Sequence, residues 1–138
     1  MLAAPRGALG RRARVGLIHG GCSNGAILRI QLKRLLEAAG DEYEWVDLAG
    51  RLLSEEVRFD ERGRQNMALL RRTFGEEQVL TEHAVTRYDD EGRFYYERFE
   101  EAIASLEEQI RCAAPIDALI GFSQGANMAT VLSARAAH

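Results

Sequence analysis

Apolar residues along the chain gather into three short runs and several helical stripes. Val15-Gly16-Leu17-Ile18 is apolar without alternation, which predicts a short strand buried on both faces. After a glycine-rich loop, Leu28, Leu32, Leu35 and Ala39 recur at helical spacing. They predict one helix starting near Ser23 or Asn24 and ending at Gly40, a glycine placed at the C′ position. Residues 43–48, Tyr-Glu-Trp-Val-Asp-Leu, predict a second strand, with Trp45 in the core and Tyr43 at the edge. The intervening length suits a right-handed βαβ unit, hence a parallel pair. Over 94–111, Phe99, Ile103, Leu106 and Ile110 fall on one helical face with Glu and Gln opposite, predicting a helix throughout. Pro115 closes the connection to a third strand over 117–122. The small residues Ala126, Ala129 and Ser133 then predict a last helix, residues 124–136, lying close on the sheet.

Between residues 49 and 92 the pattern dissolves. Glycines at 50, 63, 75 and 92 interrupt it, charge is dense, and only Met67, Leu70 and Phe74 point to a short helix. There is no internal repeat and no sign of a second domain. The order β-α-β, an irregular excursion, then α-β-α predicts an α/β fold with a parallel three-strand sheet flanked by helices.

Composition narrows the functional classes. A chain of 138 residues with 46% hydrophobic and 28% charged residues has the balance of a soluble globular domain. A net charge of -3 gives no general attraction to nucleic acid or to an anionic membrane, and no apolar run approaches spanning length. Cys22 and Cys112 fit no metal spacing and read as free thiols, which points to a reducing, cytoplasmic setting with no metal or cofactor. Residues 1–13 read as a flexible leader. Arg6, Arg11, Arg12 and Arg14, with no acid nearby, make an organelle-targeting segment the alternative.

The chemistry concentrates in Gly121-Phe122-Ser123-Gln124-Gly125, where an apolar strand runs into a helix. Glycine two before and two after a serine is the pattern of a nucleophile elbow, a turn too tight for side chains at those positions. The competing reading is a sharp turn with an ordinary N-cap serine. An acyl-transfer site also needs oxyanion donors. The backbone N–H of Gln124 stands directly after the serine, and His19-Gly20-Gly21, after the first strand, offers Gly21 as the second donor.

No general base is assigned. His19 is expected to shape its loop through backbone hydrogen bonds, and His83 is expected at the surface. His138 lies 15 residues beyond Ser123, about 22 Å along a helix and out of reach. Asp47 and Asp117 read as strand-end caps, Cys22 as a small apolar loop residue, and Arg71-Arg72 as part of a solvated helix face.

These segments together resemble one family. Leu17-Ile18-His19-Gly20 with Asn24-Gly25, then Trp45-Val46-Asp47, then Ile116 through Ala126 around the elbow, are similar to the FSH family of serine hydrolases. The resemblance implies a partial α/β-hydrolase fold and hydrolysis of a small ester or thioester. It also implies Ser123 as nucleophile, Gly21 and Gln124 at the oxyanion hole, and His19, Gly20, Gly121 and Gly125 setting the loop and elbow geometry. The family's triad acid and histidine follow the elbow. Residues 14–138 are therefore expected to be the N-terminal portion of such a domain, its independent activity left open. Two other readings stand beside the hydrolase. One is a non-catalytic, truncated or pseudo-hydrolase chain that binds a ligand or partner. The other is self-association or completion in trans through the open edge of the third strand.

Overall fold

The computed structural model describes residues 10–58 and 60–137. His138 and most of the expected leader, residues 1–9, lie outside them. The central sheet is parallel throughout, in the order β2-β1-β7: β1 (Ala13–Ile18), β2 (Tyr43–Leu48) and β7 (Ala118–Gly121). The register pairs Ala13 with Tyr43 and Ile18 with Leu48 on one side of β1, and Val15 with Ala118 and Ile18 with Gly121 on the other. The α/β architecture matches the expectation from the apolar runs.

The alternation of β1 divides the core into two layers. Val15 and Leu17 face Leu28, with Leu32, Trp45 and Ile120 packed alongside. Ile18 and Leu48 face the other way, onto Ala102, Ile103, Leu106, Met128 and Leu132. That second layer is the interface of the sheet with α5 (Phe99–Ala113) and α6 (Gln124–Ala136). Six of the eight buried residues of this layer have zero or 1% exposure: Ile18, Leu48, Ala84, Ile103, Leu106 and Met128. At roughly 1.5–3 kcal/mol per fully buried large apolar side chain, this layer is the main anchor of the sheet's helix-bearing face.

Two predicted elements differ from the observed ones. The first helix is broken at Leu32 (φ −93°, ψ 8°) into α1 (Gly25–Gln31) and α2 (Lys33–Ala39). The break shifts the helical phase, so Leu35 is 47% exposed and Leu36 turns partly inward. Residues 94–111 are not one helix either. Phe94–Glu97 forms β6, paired antiparallel with β5 (Val85–Tyr88), and α5 begins only after Arg98 turns the chain at φ 60°. Three consecutive aromatic positions favour a strand, and the helical stripe starts at Phe99.

The excursion contains β3 (Leu52–Leu53), α3 (Ser54–Val57), α4 (Glu61–Phe74) and β4 (Thr81–Glu82). The Met67-Leu70-Phe74 stripe belongs to α4, which packs over Cys22, Ile27 and Leu80. Arg71 pairs with Glu55, while Arg72 is exposed. From Leu80 to Val85 the chain then passes inward, and Leu80, Glu82, His83, Ala84 and Val85 are all buried. This buried strap crosses the carboxyl ends of β1 and β2, where the candidate site lies.

Candidate active site

Ser123 occupies a backbone conformation that serine rarely adopts, φ 53° and ψ −120°. Its flanking glycines explain how the turn is tolerated. A Cβ on Gly121 would lie 2.2 Å from the Gly125 carbonyl oxygen, and one on Gly125 would lie 2.1 Å from that of Ile18. The end of β1 and the first turn of α6 therefore touch backbone to backbone, and Ser123 is left exposed at the junction.

Ser123 differs from the two polar residues that cap other helices. Asn24, in the extended region, accepts a hydrogen bond from the Ile27 N–H at 2.9 Å, and Asp60 accepts one from the Gly63 N–H at 2.7 Å. Ser123 makes no such cap bond. Its hydroxyl is not used to close the helix, which an ordinary N-cap serine would do. The Gly125 N–H donates to Phe122, and the Ala126 and Asn127 N–H groups donate to Ser123. That leaves the Gln124 N–H at the head of α6 without a backbone acceptor among the described residues, beside the positive end of the helix dipole.

The loop after β1 lies against this turn. The Cβ position of Gly20 is 3.4 Å from Ser123 Cβ and 3.3 Å from the Phe122 carbonyl oxygen. The loop is clamped on both sides. Upstream, His19 Nδ1–H donates to the Gly20 carbonyl at 2.7 Å, and its Nε2 accepts from the Gly50 N–H at 2.9 Å. Downstream, Ser23 and Thr81 exchange backbone hydrogen bonds of 3.1 and 2.8 Å. Between these anchors the Gly21 N–H has no acceptor among the described residues.

The strap ties the loops together. The Gln124 side chain, 3% exposed, accepts from the backbone N–H of His83 (2.8 Å) and of Ala84 (3.2 Å). Its amide donates to the Ala84 carbonyl (3.0 Å) and to Thr86 Oγ1 (3.2 Å). Gly50 meets the strap so closely that a Cβ there would stand 2.6 Å from the Glu82 carbonyl oxygen.

His83 is not at the surface. It is 4% exposed and packs against His19 with ring centroids 4.4 Å apart and the rings tilted by 31°, and its Nε2–H donates to the His19 carbonyl at 2.9 Å. The surface expectation failed because the charged neighbours of His83 in sequence hide a backbone held inside by Gln124. Burial, followed by the neighbouring His19, lowers the His83 pKa to about 4. Burial also lowers that of His19. Both rings are neutral at pH 7, and the bonds of His19 fix its tautomer with Nε2 turned to Gly50. Among the described residues neither ring hydrogen-bonds Ser123.

The remaining candidates lie apart from the elbow. Asp47 pairs with Arg29 at 3.1 Å. Asp117 binds Arg11 through both carboxylate oxygens and accepts from the Arg14 N–H, and these bonds hold its pKa down to about 2. Cys22 is buried, and burial pushes its thiol pKa up, away from a reactive thiolate. Among the described residues no cluster of His, Cys, Asp and Glu is arranged to hold a metal ion. No helix among them is long and apolar enough to cross a membrane.

The residues that sequence reasoning missed are Arg58, Glu82 and His83, together with the side chain of Gln124. Their only signal is the apolar bracketing of 81–83 by Val79-Leu80 and Ala84-Val85. Residues 10–138 match the family described as serine hydrolase (FSH1). No curated protein matches the chain significantly.

Proposed function

We propose, from the premise that this chain belongs to the serine hydrolase (FSH1) family, that it acts on ester or thioester bonds through an acyl intermediate on Ser123. Family membership supports hydrolysis in general. The specific assignment rests on one observation: Ser123 stands at φ 53° between two glycines, with a hydroxyl that does not cap its helix. In the proposed reaction Ser123 Oγ attacks the carbonyl carbon, and the negative charge moves to the carbonyl oxygen. The N–H groups of Gln124 and Gly21 are the proposed donors to that oxygen. Collapse breaks the carbon–oxygen or carbon–sulfur bond and releases an alcohol or thiol, and water then cleaves the acyl-serine ester. The serine proton passes to solvent water, since neither His19 nor His83 is assigned as its base, and a solvent proton reaches the departing alkoxide or thiolate. Oxyanion stabilisation and binding alone sustain a rate of about 10³–10⁴ over water.

The test is to mix the protein with a short p-nitrophenyl ester, quench in acid and map the adduct by mass spectrometry. The expected result is one acyl group on Ser123, absent in Ser123→Ala. A folded wild-type protein with no adduct above background refutes the assignment.

A second reading, binding of another chain, is favoured by the free edge of β7. Among the described residues β7 pairs only with β1. Beside it lies an open cleft of about 490 Å³ whose lining includes Ile110, Ile116, Leu119 and Leu132. An unpaired apolar edge is a template for strand addition. Sedimentation should then show mass rising with concentration, and a folded monomer at all concentrations excludes self-association.

A further inference from the structure

Beneath the Gly20-Gly21 loop lies a half-buried ion pair, Glu82 buried and Arg58 25% exposed, that the reaction described above leaves unused. Glu82, 1% exposed, accepts from Arg58 Nε and Nη2, both at 2.7 Å, in a two-bond fork. The pair fills the space where a side chain on Gly21 would stand. A Cβ on Gly21 would stand 3.1 Å from Glu82 Oε1, 3.2 Å from Arg58 Nη2 and 3.3 Å from Gln124 Nε2. On its other flank the loop meets Ser123, 3.4 Å from the Cβ position of Gly20. Two consecutive glycines thus separate the ion pair from the serine.

Burial of such a pair is a poor way to gain stability. Desolvating two charges offsets most of their attraction, and apolar residues of similar size often serve as well. What a forked pair supplies is direction, because the planar guanidinium and the carboxylate fix each other's orientation. The Gly21 peptide sits between anchored ends and leans on this pair. An oxyanion donor must lie within about 2.7–3.1 Å of the developing charge. Misplacement of a reacting group by about 1 Å can cost 10²-fold in rate.

We propose that Arg58 and Glu82 are positioning residues for the Gly20-Gly21 loop, holding the Gly21 N–H where the transition-state oxygen develops. Neither touches substrate or the reacting atoms. The inference rests on the reading of Ser123 and Gly21 as nucleophile and oxyanion donor.

Labelling of Ser123 by a fluorophosphonate, followed over time, separates the outcomes because the progress curve has both a rate constant and an amplitude. In Glu82→Gln the maximal labelling rate should fall tenfold or more, with probe affinity unchanged. Arg58→Lys, which keeps the charge but loses the fork, should fall less. In both variants the final amplitude should equal the folded fraction. A merely structural role lowers only the folded fraction, and with it the amplitude, while the folded molecules are labelled at the wild-type rate. That result overturns the proposal while leaving Ser123 as nucleophile. Absence of labelling in the wild type overturns both. If Glu82→Gln yields no folded protein, Arg58→Lys decides on the same two readings.

Discussion

Replacing Gln124 with methionine keeps the length and the backbone N–H of the residue while removing a buried amide with four partners. The Gln124 carbonyl oxygen accepts from the His83 and Ala84 N–H groups, and its amide donates to the Ala84 carbonyl and to Thr86 Oγ1. His83 and Ala84 are buried, at 4% and 0% exposure, so water cannot replace the lost bonds without opening the strap. Each buried group left unpaired costs about 1–3 kcal/mol. Thr86 is only partly buried and recovers a water partner, leaving two N–H groups and one carbonyl. Three such groups give an expected loss of about 3–9 kcal/mol, a large share of the roughly 5–15 kcal/mol typical of a domain. The assay is urea unfolding with an unchanged m-value, alongside hydrogen exchange at the amides of 83 and 84. Those two amides should lose protection first. The exposed replacement Gln65→Met serves as the control, expected within about 0.5 kcal/mol of wild type. A Gln124→Met protein within about 1 kcal/mol of that control, with amides 83 and 84 still protected, refutes the account of the strap.

Three further outcomes follow from the same geometry. His83 titrates at about 4 in the fold and near 6.5 when unfolded, so below pH 6.5 the unfolded chain takes up a proton that the folded ring refuses. Stability is therefore full above about pH 7 and lost as pH falls through 6.5 towards 4, by about 2 kcal/mol at pH 5. Urea titrations at several pH values check this, and His83→Gln should flatten the slope. Gly125→Ala drives a Cβ to 2.1 Å from the Ile18 carbonyl oxygen and should destabilise the protein by about 3 kcal/mol or more, measured by thermal melting. Arg11→Ala should raise the Asp117 pKa from about 2 towards the ordinary aspartate range in an NMR titration, because Arg11 supplies its largest stabilising interaction.

The parallel sheet and the two halves of the site were legible because their determinants are local. An apolar run without alternation makes β1, and small residues at fixed offsets make the turn into α6. Even the broken first helix kept Leu28 buried and Leu32 partly buried on the expected side. The strap was illegible for the opposite reason. His83 is buried through bonds to a residue 41 positions away, and Glu82 through a pair with Arg58, 24 positions back. Polar residues held inside by distant partners leave no periodic trace, so a stretch that reads as solvated charge becomes the floor of the site. The start of α5 was lost in a similar way. The helical stripe from Phe99 extends the expected helix back over Phe94, Tyr95 and Tyr96, an aromatic run that suits the strand paired with 86–88.

The account turns on Ser123 as the acyl-transfer nucleophile. Incubation of the folded chain with a fluorophosphonate, followed by peptide mapping, is its most direct test. A single phosphonyl adduct on Ser123 that disappears in Ser123→Ala is the expected result. No adduct on folded protein, or an adduct that persists undiminished in Ser123→Ala, contradicts it.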